Sequence, residues 1–144
     1  MKVERTAILP FASQQMFDII NDIEQYPDFL PWCSDAVVER HDDAEMLAML
    51  EVKYGRLNLK FKTLNTLVAN EKVSMTLVEG PFRNLQGEWL ITSLNESACK
   101  VALNMNFAFS NPITHGLFAK VFQSVVTTQV DAFEQRAHSI YKVK

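Results

Sequence analysis

The stretch VALNMNFAFSNPITHGLFAKVFQSVVTTQVDAF, residues 101–133, changes its hydrophobic period once, at Asn111-Pro112. Before that point Val101, Leu103, Met105, Phe107 and Phe109 alternate with Ala102, Asn104, Asn106 and Ala108. Period two is the signature of a half-buried strand. After it, Leu117, Phe118, Val121, Phe122, Val125, Gln129, Ala132 and Phe133 fall on one face of a helix. Asn111 suits the N-cap and Pro112 the first helical position. No further Pro occurs before Tyr141 and Gly116 is the one Gly, so the spacing predicts a long C-terminal helix.

Upstream, the same period of two recurs. Residues 33–41 and 45–54 read as a hairpin around Asp42-Asp43, and Tyr54-Gly55-Arg56 as a turn. Leu57, Leu59, Phe61 and Thr63 form one inward row, Val73, Met75 and Leu77 a second, and Leu85, Gly87, Trp89 and Ile91 a third. Residues 2–9 read as a first strand ended by Pro10. Ser13 is the expected N-cap of a short helix carrying Met16, Phe17, Ile20 and Ile23, broken near Asn21-Asp22 and stopped by the segment Tyr26 to Trp32. The order is strand, short broken helix, six antiparallel strands, long helix. That is an α+β fold in one domain, residues 1–144, with a seven-stranded sheet that must curl around the only long helix.

Composition narrows the function classes. Of 144 residues, 48% are hydrophobic and 22% charged, ordinary values for a chain with a real core. No apolar run reaches spanning length, so no stable membrane insertion is expected. The first residues lack the apolar core of an export signal, and the two cysteines, Cys33 and Cys99, are expected as free thiols in a cytoplasmic protein. The net charge of −3 is unevenly spread: residues 1–51 hold 11 acids and 3 bases, residues 52–144 hold 6 acids and 11 bases.

Catalytic patterns are missing. His41, His115 and His138 have no ligand-like spacing and read as solvated side chains, so no metal site is expected. Asp42, Asp43 and Glu45 sit in a polar turn, which gives no means of shifting a pKa for acid–base work. Glu79 shares its parity with Val73, Met75 and Leu77, a hint of a carboxylate at a cavity mouth, although a strand end running into solvent explains it as well. No catalytic residue and no catalytic cofactor is assigned. The chain is rich instead in large adaptable apolar side chains, 10 Phe and 6 Met. A curled sheet around one helix tends to enclose a cavity, and the inward rows would line it, although the same rows also read as plain core.

Tyr26-Pro-Asp-Phe-Leu-Pro-Trp-Cys33, Gly80-Pro-Phe-Arg-Asn-Leu-Gln-Gly-Glu-Trp89 and Phe107-Ala-Phe-Ser110 carry a resemblance. Together they are similar to the signatures of the coenzyme Q-binding and ribosome-association toxin family, within the START-like, polyketide cyclase-like superfamily. The resemblance implies a helix-grip fold, a curved sheet wrapped on the C-terminal helix with a hydrophobic tunnel between them. It implies a non-enzymatic binding protein for ubiquinone or another apolar lipid, supporting respiration. Alternatively it implies a toxin that binds the large ribosomal subunit and blocks subunit joining, a branch with which an antitoxin partner is associated.

For the first reading the expected wall residues are Trp32, Phe61, Met75, Trp89, Met105, Phe107, Phe118 and Phe122. For the second, Lys53, Lys60, Lys62 and Lys72 point away from the inward rows and, with Arg56 at the connecting turn, are expected to form a positive patch for ribosomal RNA. The same lysines also read as an ordinary solvated sheet face.

Overall fold

The alternation seen in the sequence becomes one continuous antiparallel sheet. In the computed structural model, which describes residues 1–141, the strands are β1 (Lys2–Leu9), β2 (Cys33–His41), β3 (Glu45–Tyr54), β4 (Leu57–Val68), β5 (Lys72–Glu79), β6 (Phe82–Asn95) and β7 (Ala98–Phe109). Their order across the sheet is β1-β7-β6-β5-β4-β3-β2. Each strand from β2 to β6 thus pairs with its successor, and β1 closes onto β7. Register shifts in β2, β6 and the β4–β5 ladder mark bulges, which bend long strands and deepen the curl.

Helix α1 (Ser13–Asn21) leads through Asp22 into a 3₁₀ helix, Ile23–Asp28, so the expected break falls where Asn21-Asp22 placed it. Two local expectations are corrected. The N-cap is the extended Ala12, not Ser13, and its N–H donates to Gln15 Oε1 at 2.9 Å. Tyr26-Pro27 does not stop the helical segment but lies inside its 3₁₀ part, whose looser pairing does without the proline N–H.

Helix α2 (Pro112–Ile140) begins as its sequence demands, with Asn111 Oδ1 accepting from the N–H of Ile113 at 2.8 Å and of Thr114 at 3.4 Å. It packs chiefly against β1, β7 and α1, and buries Phe122, Val125, Val126, Gln129, Val130 and Phe133. Leu117, expected at the helix–sheet contact, is 66% exposed, because the first turns of α2 overhang the sheet. His115 is not simply solvated: its Nδ1 accepts from the N–H of Phe109 at 3.3 Å, tying the end of β7 to the start of α2. His41 and His138 are exposed.

Candidate functional site: an uncharged cavity under the long helix

Because α2 leans toward β1 and β7, space is left between it and the middle of the sheet. The result is a cavity of about 50 Å³. Its roof is Phe122, Val125, Val126 and Gln129 of α2; its floor is the inward rows of β3 to β7; one end is closed by Ile20, Ile23, Tyr26 and Trp32. The volume holds a few water molecules and is about a third of what a benzene-sized guest occupies in a preformed cavity. A ring therefore enters only if the walls give, and two of the wall residues are methionines, which have soft torsions.

The floor has one designed gap. Gly87 stands between Met75 on β5 and Met105 on β7 in the cross-strand register. A Cβ at residue 87 would lie 2.9 Å from the Asn104 carbonyl oxygen and 3.3 Å from Met105 Cε. The missing side chain is what lets Met105 lie over the floor. Gly80, in the same stretch of sequence, has φ +152°, and a Cβ there would stand 2.6 Å from Phe61 Cβ. The turn before β6 thus passes directly over a wall residue.

Six of the eight expected wall residues line this cavity: Trp32, Phe61, Met75, Trp89, Met105 and Phe122. Phe107 and Phe118 do not. Phe107 has the inward parity, but its ring is held in an aromatic cluster, 4.7 Å from Phe122 and 5.9 Å from Phe109, at the closed side of the helix. Phe118, one turn before Phe122, is half-buried against the core outside the cavity.

Three polar lining residues were not singled out as site residues: Thr63 and Asn65 on β4, and Gln129 on α2. Thr63 and Gln129 had been placed on inward faces by spacing alone. Asn65 had a signal too, since it continues the parity of Leu59, Phe61 and Thr63. Thr63 Oγ1 donates to Asn65 Oδ1 at 2.8 Å. Among the lining residues the one titratable group is Tyr26. Its hydroxyl donates to the Ile20 carbonyl, and burial raises its pKa, so it stays neutral. Among the described residues no carboxylate, histidine, lysine or arginine lines the cavity.

Glu79 is not at the mouth. A bulge in the β4–β5 ladder pairs Lys62 with Glu79 and Thr63 with Leu77, which turns Glu79 to the outer face beside Lys62.

The outer face also differs from expectation. The lysines do project there, but not into a field free of acids. Lys53 and Lys60 each approach Glu51 at 3.6 Å, Lys62 lies 2.8 Å from Glu39 and 3.8 Å from Glu79, and Lys72 lies 3.5 Å from Glu88. A hydrogen bond from Ser34, followed by the two lysines, holds the Glu51 carboxyl below its usual range. Glu39, Glu79 and Glu88 come from neighbouring strands, so only the register reveals them, whereas Glu51 shares β3 and its outward row with Lys53. At the tip of the β3–β4 hairpin Lys53, Arg56 and Lys60 are exposed, and Lys53 and Lys60 share the acid Glu51.

An open sheet curled onto one long helix, enclosing a small apolar cavity, defines an α+β domain of the helix-grip type. The chain matches the "Polyketide cyclase / dehydrase and lipid transport" family over residues 9–134 and belongs to that family. It is 39% identical over 140 residues to the ribosome association toxin RatA of Vibrio cholerae, covering 97% of each chain. It is 26% identical over 145 residues to the mitochondrial coenzyme Q-binding protein COQ10 homolog B of Xenopus laevis, covering 98% of this chain and 59% of that one. Among solved structures it superposes on the ZhuI aromatase/cyclase of Streptomyces sp. R1128 with a TM-score of 0.86, at 14% identity, over 96% of this chain and 93% of that one. A START superfamily protein of Mycobacterium smegmatis gives a TM-score of 0.82 at 16% identity, over 96% and 98%. The START-like helix-grip fold expected from the sequence is therefore established. No helix among the described residues is long and apolar enough to cross a membrane.

Proposed function

We propose that the protein is a non-enzymatic carrier of a neutral, apolar small molecule, a polyprenyl quinone such as ubiquinone being the best fit. The observation that carries this is the lining: apolar and aromatic side chains with a few uncharged polar groups and no ionised one. A buried charge on the ligand would find no counter-charge there, which is costly, whereas a neutral ring loses little on leaving water. The relative named as a coenzyme Q-binding protein supports the same reading. The lining also offers no side chain that exchanges a proton near neutral pH, which favours holding over converting the ligand. The test is organic extraction of protein purified from a quinone-making host, followed by mass spectrometry. A quinone recovered in near-equal amount to protein is expected. Protein that repeatedly carries none, and binds none when it is added, overturns the proposal.

A second reading is favoured by the relatives named as ribosome association toxins, which match this chain over nearly its whole length. In it the protein binds the large ribosomal subunit, with Lys53, Arg56 and Lys60 at the β3–β4 hairpin as the contact and Lys62 and Lys72 contributing less, because the Lys53 and Lys60 side chains are 57% and 64% exposed and those of Lys62 and Lys72 only 23% and 42%. Each lost lysine–phosphate contact lowers the slope of log affinity against log salt by about 0.7–0.9. The Lys53→Glu, Lys60→Glu double variant is expected to remain folded and to lose co-sedimentation with the large subunit. Unchanged co-sedimentation at moderate salt contradicts that contact.

A further inference from the structure

We propose that Asn65 and Gln129 form a head-group site inside the cavity, donating hydrogen bonds to the carbonyl oxygens of a neutral ring, and that the cavity discriminates against anionic amphiphiles. This rests on the cavity being the binding site. The two amides stand on different elements, Asn65 on β4 in the floor and Gln129 on α2 in the roof. Asn65 is 2% and Gln129 9% exposed, so neither is solvated like a surface amide. Among the described residues the fully enclosed side-chain atoms without a partner are Arg5 Nε and Asn21 Oδ1, so the free groups of the two amides are not sealed in the core but keep contact with open space. The oxygen of Asn65 is already taken by the Thr63 hydroxyl, which leaves its N–H₂ as what it offers. The Gln129 side chain makes no hydrogen bond among the described residues. Both line the apolar cavity between the sheet and α2.

Two amide donors in the floor and roof suit a ring with acceptor oxygens at opposite ends, as in a 1,4-quinone. They suit a carboxylate or phosphate poorly, because an anion buried there would have amide dipoles and no cation. The remaining length of an isoprenoid or alkyl tail needs only apolar wall. Phe61, Met75 and Leu50, all half-buried wall residues on β3 to β5, mark where the lining reaches the surface and where a tail leaves the cavity.

The test uses the full chain and three probes: decylubiquinone, decylbenzene (similar tail, no oxygen) and myristate (an anionic head). Two variants are compared with the parent. Gln129→Leu removes an amide that has no partner to orphan. Thr63→Val with Asn65→Leu removes both ends of one hydrogen bond, so nothing polar is stranded. Each is expected to fold and melt at or above the parent temperature, to bind decylubiquinone about ten-fold more weakly or worse, and to bind decylbenzene as the parent does. Myristate is expected to bind the parent at least about ten-fold more weakly than decylubiquinone. Variants that keep parental affinity for decylubiquinone, or a parent that takes myristate equally well, overturn the head-group site while leaving the cavity reading intact. A parent that binds neither decylubiquinone nor decylbenzene overturns both.

Discussion

The Thr63 hydroxyl donates to the side-chain oxygen of Asn65 at 2.8 Å, within a strand row otherwise made of Leu57, Leu59, Phe61 and Leu67. The bond satisfies both groups at once, so breaking it from one side strands the other. Thr63→Val alone is expected to cost about 1–3 kcal/mol, the penalty of leaving a buried acceptor unpaired. Thr63→Val with Asn65→Leu is expected to cost less than the sum of the single changes. Chemical denaturation of all three variants in a double-mutant cycle measures the coupling. Additive losses would mean that the two side chains do not depend on each other.

Wall and core differ in what truncation costs. Met75 and Met105 border free space and have fewer packing partners to lose than a close-packed residue. Met75→Ala and Met105→Ala are expected to cost less than about 2 kcal/mol, and Leu103→Ala, fully buried on β7, about 2–5 kcal/mol. Leu117→Ala, on the overhanging turn, is expected to change stability by no more than about 0.5 kcal/mol. Denaturant unfolding of ligand-free protein gives all four values. Losses above about 3 kcal/mol at both methionines would mean a filled core there.

Gly87→Ala tests the gap in the floor. Its new Cβ meets the Asn104 carbonyl oxygen, which is backbone and cannot swing away, and the flexible end of Met105, which can. A loss of about 1–3 kcal/mol is expected from overpacking, together with weaker ligand binding as Met105 is pushed into the cavity. Parental stability and parental binding together would show that the floor has slack.

Alkaline pH probes the sealed end of the cavity. Burial pushes the Cys33 thiol up to about 11 from its ordinary 9.0. For an acid whose folded pKa is raised, the unfolded chain ionises first. Stability is therefore untouched below pH 9 and falls between pH 9 and 11, by on the order of 2 kcal/mol from this group. Tyr26, also raised by burial, extends the loss further into the alkaline range. Stability measured against pH should flatten over the first part of that window in Cys33→Ala. An unchanged profile in the variant would remove Cys33 as the cause.

Most of the architecture was legible because strand and helix periods are strong signals, and the single switch at Asn111-Pro112 divides them. What was not legible came from places where one residue breaks a pattern. The row Leu57 to Thr63 looked finished because the next inward residue is a polar Asn65, yet β4 continues to Val68. The residue that hid the end of the strand is one of the polar residues that line the cavity. Of the two readings of Glu79 the solvent one holds, and the bulge that decides it reverses parity without leaving a mark in composition. The lysine face was read as a positive patch because Glu39, Glu79 and Glu88 meet it only across strands, and because Glu51, two residues before Lys53 on the same outward row, was not weighed against it. Phe107 had the right parity, but the height at which it stands under α2 is set by packing, which periodicity does not encode.

The protein has two tryptophans, Trp32 and Trp89, and both line the cavity. A quinone is a strong quencher of indole emission at short range, so the chain carries its own reporter. Titration with decylubiquinone is expected to quench most of the tryptophan fluorescence, to saturate at one molecule per chain, and to be reversed by competition with decylbenzene. Emission that falls only in proportion to added quinone, without saturation and without competition, contradicts a ligand-binding cavity beneath the long helix.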